Sequence, residues 1–424
     1  MSSAVDHIRD LADFVRDAPS SFHAAAEGAR RLSAAGFARQ DESEPWDRSA
    51  GGHFLIRDGA LIAWWVPSDA APTTPFRIVG AHTDSPTFKL KPRPDIGRLG
   101  WQQLGMEVYG GPLLNSWLDR ELGLAGRLVL DDGSEALVKT GPIMRIPQLA
   151  IHLDRAVNED GVKLDKQLHT APVWSVSHPE LNILDHLADQ IDRRRGDIVG
   201  YDIVAFDTAA PALFGPRQEF FAAGRLDNLS SVHAGLTALI DADGDGRGNH
   251  IPVLAAFDHE EIGSSSRSGA SGPVLADVLT RIMTSLGATV DQQHRALAGS
   301  YCLSADAGHA VHPNYAGRHD PVNQPLLNGG PLLKINANQR YATDARGAAL
   351  WRRACRQVGV PTQEFVSNNA IPCGSTIGPL TATRIGITTI DVGIPLLSMH
   401  SARELAGVED PRSLALAMGA FFTL

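Results

Sequence analysis

IPVLAAFDHEEIGS, residues 251–264, sets seven apolar residues two positions ahead of the adjacent pair Glu260 and Glu261. A short continuous apolar run of this length reads as a strand buried on both faces. On either side of it, 229–239 and 274–286 carry helical spacing. The same rhythm continues outward. Residues 77–81, 301–305, 387–392 and the neighbourhood of Ile335 read as short strands, and 350–358 reads as a helix. Strand, loop and helix in alternation predict an α/β domain, a mixed sheet sandwiched by helices.

The rest of the chain divides around that pattern. Residues 1–40 are helical in spacing, with Val5, Ile8, Leu11, Ala12 and Val15 on one face and a second helix over 24–36. Residues 53–66 alternate as strand. From about 93 to 219 the texture changes to short apolar runs broken by Gly, Pro and Asp. Within it, 127–139 reads as two strands joined at Asp132–Gly133, a favoured hairpin turn, and 185–194 reads as a helix. These boundaries predict a split domain, 1–92 and 221–424, around a mostly β insertion at 93–220.

Composition narrows the function. The 424 residues carry 38 basic and 48 acidic side chains, a net charge of −10. Such a chain has no electrostatic footprint for nucleic acid or for an anionic membrane. Its longest nearly unbroken apolar stretch, 414–422, is far below the roughly 20 residues of a membrane span. The acidic N-terminus does not read as a secretory signal. Cys302, Cys355 and Cys373 are odd in number and widely spaced, which predicts neither a disulfide framework nor a zinc ribbon. A reducing, cytoplasmic setting is the expectation.

Several familiar motifs are missing. There is no H-E-x-x-H, no G-x-S-x-G and no Walker loop. The acidic turn at 241–246 imitates the start of a calcium loop, but Pro252 stands where that loop needs a bidentate Glu. Five segments instead put metal-type ligands at the ends of apolar runs. They are AHTDSP with His82 and Asp84, GRLDNLS with Asp227, DHEEIGS with Glu260 and Glu261, SADAGHAVHP with Asp306, and SMHSARE with His400. Sites in open α/β sheets form beyond the carboxyl ends of strands. Two carboxylates crowded at a sheet end are costly unless a cation neutralises them. Two imidazoles with several carboxylates suit a pair of divalent ions.

Over nearly its whole length the chain resembles the M18 metallopeptidases, the aspartyl aminopeptidases. The resemblance rests on AHTDSP, AIHLDR, GRLDNL, DHEEIGS, SADAGHAVHPNY, KINANQRYAT, PCGSTIGP and SMHSARE. It implies a zinc-exopeptidase fold with an inserted oligomerisation domain and two zinc ions per subunit, replaceable by cobalt or manganese. Asp227 would bridge the ions, with His82 and Asp306 on one and Glu261 and His400 on the other. Asp84 would orient His82. Glu260 would act as general base toward the attacking water and then return the proton to the leaving amine.

The resemblance also implies a substrate, a peptide with a free N-terminus beginning with Asp or Glu. His309, Lys334 and Tyr341 would receive the acidic side chain. His152 would enter the site of a neighbouring subunit, which implies a homo-oligomer, possibly a dodecamer. Asn368 and Ala370 depart from the family pattern, which has Arg and Asp there in many members. Three alternatives stay open: an aminopeptidase for neutral first residues, a related two-metal deacylase or carboxypeptidase, and an assembled protein without catalysis.

Overall fold

The computed structural model describes residues 3–46, 49–242 and 249–424; residues 243–246 of the acidic turn lie outside them. The central element is a nine-stranded mixed sheet. Its spatial order is Ala38–Arg39, Gly51–Arg57, Ala60–Val66, Ile251–Phe257, Phe76–His82, Tyr301–Ala305, Thr388–Gly393, Leu332–Lys334, Gln363–Phe365. The four middle strands, Ile251–Phe257 to Thr388–Gly393, run parallel.

Both faces of this sheet are covered, which is why its central strands read as unbroken apolar runs. On one face Val79, Ala81, Leu254 and Ala256 join side chains of helices Ala4–Asp17, Leu226–Asp241 and Asp410–Thr423. On the other face Ile78, Val253 and Ala255 join helix Val274–Ser285 and Ile377 of helix Ile377–Ile385. The alternation along each strand sends successive residues to opposite helix layers.

A second, antiparallel sheet of six strands is drawn from residues 87–207. Strands Leu122–Leu130 and Glu135–Lys139 form the hairpin expected at Asp132–Gly133. This sheet begins at Thr87, ahead of the change of texture at 93. A third sheet pairs Phe220–Ala223 with Glu404–Gly407 and also takes in Ala212–Phe214. Residues 212–214, grouped with the insertion by sequence, therefore share a sheet with 404–407.

Some elements differ in detail from their sequence reading. The 53–66 stretch is a hairpin, Gly51–Arg57 and Ala60–Val66, turning at Asp58–Gly59 with Asp58 at φ 55°. The apolar residues on both sides conceal that turn. Helix Ala345–Gln357 starts five residues earlier than expected, because the Asp344 side chain accepts from Gly347 N at 2.7 Å and caps it. Helix Ile183–Asp189 stops short of 194. No described helix is long and apolar enough to cross a membrane.

Candidate metal centre

Three adjacent parallel strands deliver the first candidate ligands. Phe76–His82 ends in His82, Tyr301–Ala305 leads into Asp306, and Ile251–Phe257 leads into the short turn carrying Glu260 and Glu261. Asp227 enters from the first turn of helix Leu226–Asp241. There Asn228 Nδ2 donates to Ala305 O at 2.8 Å, tying the helix start to the strand that supplies Asp306. His400 comes from the loop between two strands of the third sheet, with φ 65°.

These side chains meet. His82 Nε2 lies 3.4 Å from Asp227 Oδ1 and 3.5 Å from Asp306 Oδ1. His400 Nε2 lies 3.4 Å from Asp227 Oδ2 and 3.4 Å from Glu261 Oε2. The two Asp227 oxygens thus face different histidines. Separations of 3.4–3.5 Å are long for hydrogen bonds. They match donors around a shared ion, since ligands about 2.0–2.2 Å from one tetrahedral centre stand roughly 3.3–3.6 Å apart. Asp227 Oδ1 and Glu261 Oε1 are buried without hydrogen-bond partners. His82, Asp227 and Glu261 offer ligand atoms within 4.8 Å of one another. The donor set, its spacing and its orphaned oxygens fit cations of the zinc type.

The electrostatics say the same. Burial, reinforced by Asp227, drives the Glu261 carboxyl well above the usual range. Burial also pushes Glu260 up to about 7, with Asp306, Asp227 and Asp84 adding to the effect and His82 opposing it. Burial lowers the basicity of His400, but Asp227 and Glu261 outweigh it and raise the imidazole to about 10. Asp227 is raised by burial and pulled below its ordinary value by both histidines. Without a cation, protons must do the neutralising.

Asp84 is a hub. Its Oδ1 accepts from Glu260 N at 3.0 Å, and its Oδ2 from Glu261 N at 3.1 Å. His82 Nδ1 lies 3.0 Å from the Asp84 carbonyl, which leaves Nε2 to face the cluster. Glu260 stands apart from the ligands, its Oε2 4.0 Å from His82 Nε2.

Beside the cluster opens a cavity of about 540 Å³, lined among others by Glu260, His309, Lys334, Tyr341 and Thr376. Lys334 is fully buried and donates to Asp306 O at 2.8 Å and Ala307 O at 3.2 Å. Its ammonium is 5.1 Å from the centre of the Tyr341 ring. His309 lies at the exposed side of the same cavity. Asn368 holds the carbonyls of Gly317 and His319 through Nδ2. His152 is the one candidate that this chain does not bring to the site: it is exposed on the turn at 151–153.

The sequence profile described as Aminopeptidase I zinc metalloprotease (M18) matches residues 14–422. The chain belongs to the M18 aminopeptidase family. Similar relatives include a probable M18 family aminopeptidase 2 of Streptomyces coelicolor, 52% identical over 419 residues that span 98% of this chain and 97% of that one. Among solved structures, that of the Ape4 and Nbr1 complex aligns with a TM-score of 0.96 at 34% identity, covering 99% of this chain and 86% of the other. The S. cerevisiae mApe1 dodecamer aligns with a TM-score of 0.85 at 29% identity, covering 98% and 96%.

Around the candidate ligands of this M18 aminopeptidase stand residues that the sequence alone leaves without a role. Glu404, inside SMHSARE, accepts from His400 N at 2.8 Å with Oε1 and from Asp227 N at 3.0 Å with Oε2. Asp391, on strand Thr388–Gly393, is fully buried and accepts from Ser304, Thr376 and Ala342 N. Tyr109, at the end of a strand of the six-stranded sheet, and Gly111, two residues beyond it, bond Asp84 and His400. A charged residue inside the apolar run 387–392 was a visible signal for Asp391. Tyr109 and Gly111 had none, because their contacts depend on how two sheets meet.

Proposed function

We propose that this M18 aminopeptidase removes an N-terminal Asp or Glu from peptides at a centre of two zinc ions. The observation that carries the two-ion reading is Asp227, whose carboxylate oxygens face His82 and His400 on opposite sides. His82 and Asp306 would hold one ion, and Glu261 and His400 the other. Zinc so held supplies Lewis acidity toward a carbonyl and lowers the pKa of water.

The chain's own residues do the rest. Glu260 sits beside the ligands without bonding them, so it is free to take a proton from water and pass it to the leaving amine. Asp84 fixes the backbone of both glutamates and the ring of His82. Lys334 is the only Lys or Arg lining the cavity among the described residues, which supports capture of an acidic first side chain together with His309 and Tyr341.

We also propose that the six-stranded sheet is an oligomerisation domain and that the assembly is a homo-oligomer, as in the mApe1 dodecamer. Leu149, Ile151 and Leu153 are exposed beside His152, an apolar loop suited to burial against a second copy. There His152 would reach a neighbour's site. The three cysteines are all free, which supports a cytoplasmic setting.

Initial rates on peptides beginning with Asp, Glu, Leu or N-acetyl-Asp, with zinc and then with chelator, test the reading. Chelator-sensitive release of Asp and Glu is expected, and Glu260→Gln should keep zinc while losing about 10²–10⁴-fold in turnover. Preference for Leu would discard the Lys334 assignment. Cleavage of the acetylated substrate alone would discard the aminopeptidase reading, and full turnover by Glu260→Gln would discard its role.

A further inference from the structure

We infer that Tyr109 is a positioning residue of the metal centre, through which the six-stranded sheet helps to hold the ions. The inference rests on the metal ligands proposed above. Every proposed ligand belongs to the nine-stranded sheet, its helices or the third sheet. The strand Trp101–Tyr109 belongs to neither sheet, yet its end runs directly behind the cluster.

Four contacts are made there. The Tyr109 hydroxyl donates to Asp84 Oδ2 at 2.7 Å. The next residue, Gly110, sits at φ 69° so close to Glu261 that a Cβ would come within 3.1 Å of the Glu261 Cβ. Gly111 O accepts from His400 Nδ1 at 2.9 Å, and Leu113 N donates to His400 O at 2.9 Å. A carbonyl can only accept, so Nδ1 of His400 carries a proton, and Nε2 is the nitrogen left to face Asp227 and Glu261.

Tyr109 acts on the other half of the centre. Asp84 carries His82 and the amides of Glu260 and Glu261 at once. Its Oδ2 takes two hydrogen bonds, one from Glu261 N and one from the phenol. Removing the phenol leaves that oxygen with one partner and loosens a carboxylate that holds the amides of Glu260 and Glu261 and whose Oδ1 lies 3.4 Å from His82 Nδ1. Outer hydrogen bonds of this kind are worth about 10–100-fold in metal affinity.

The test is zinc affinity of the full-length protein, measured by competition with a chromophoric chelator, for wild type, Tyr109→Phe and Tyr201→Phe. Tyr201 is the matched control: it lies in the same sheet and its hydroxyl donates to Lys91 O at 2.7 Å. Tyr109→Phe should weaken zinc about tenfold or more and shift the visible absorption of the cobalt-loaded protein, while Tyr201→Phe matches wild type in both. Equal affinity and spectrum for Tyr109→Phe and wild type would overturn the inference, as would equal weakening by Tyr201→Phe. A wild type that takes up no zinc would instead overturn the ligand assignment beneath it.

Discussion

Asp391 lies on strand Thr388–Gly393, third from one edge of the nine-stranded sheet, and its replacement has a calculable outcome. Oδ1 accepts from the Ser304 hydroxyl at 2.7 Å and the Thr376 hydroxyl at 2.5 Å, and Oδ2 accepts from Ala342 N at 2.6 Å. Burial raises this carboxyl, and Lys334 and the three donors pull it back. Asp391→Asn can keep all three links. With its oxygen on Ala342 N, the amide nitrogen has two hydrogens for two hydroxyls, and hydroxyls rotate to accept. Its expected cost is at most about 1–1.5 kcal/mol. Asp391→Ala loses three buried hydrogen bonds and strands Ala342 N, and should cost about 3–5 kcal/mol. Ala342 adjoins Tyr341, and Thr376 lines the cavity, so the Ala variant should also raise KM more than it lowers kcat. Urea unfolding of the zinc-loaded variants and steady-state rates on an Asp-initial peptide read both effects. An Ala variant within about 1 kcal/mol of wild type and with unchanged KM would refute the reasoning.

Two further outcomes follow from other buried groups. Glu404→Gln must turn an NH₂ toward one of the two amides that Glu404 accepts from, His400 N or Asp227 N; a loss of about 1–3 kcal/mol in urea unfolding is expected, and equal midpoints would contradict it. His7 is buried, and burial, aided by the facing His233, holds its imidazole down at about 3. The unfolded chain takes up that proton near pH 6.5 while the folded one refuses it, so stability present above pH 6.5 is lost as pH falls toward 3. His7→Leu should flatten the stability–pH slope in that window by up to about 1.4 kcal/mol per pH unit, and parallel slopes for the two proteins would rule this out.

The sequence made His82, Glu260, Glu261 and Asp306 legible because each follows a short apolar run, and a polar side chain at the end of a buried parallel strand has few other uses. Asp227 and His400 showed the same signature more faintly, after short strands of the small third sheet. The Asp58–Gly59 turn was hidden by apolar neighbours that are buried on both arms of the hairpin. The role of Asp391 is not legible because its donors, Ser304 on the adjacent strand and Ala342 N and Thr376 outside the sheet, are all far away in sequence. Tyr109 and Gly111 follow from the docking of one sheet against another, which periodicity along a chain does not encode.

The strand order has a consequence for how the chain comes to be folded. Ala60–Val66 and Phe76–His82 are separated by residues 67–75 alone, and both pair with Ile251–Phe257, one antiparallel and one parallel. They therefore lie antiparallel to each other, with a gap between them that a strand from far down the chain must enter. Neighbours in sequence normally pair with each other, so the early chain can close a local hairpin that shuts the gap. Entry of Ile251–Phe257 requires closing a long loop, a slow event. A chain trapped in that hairpin has no place where His82 meets Glu261. A cation held by both residues would stabilise only the threaded state, so the proposed metal centre would also favour the correctly threaded sheet.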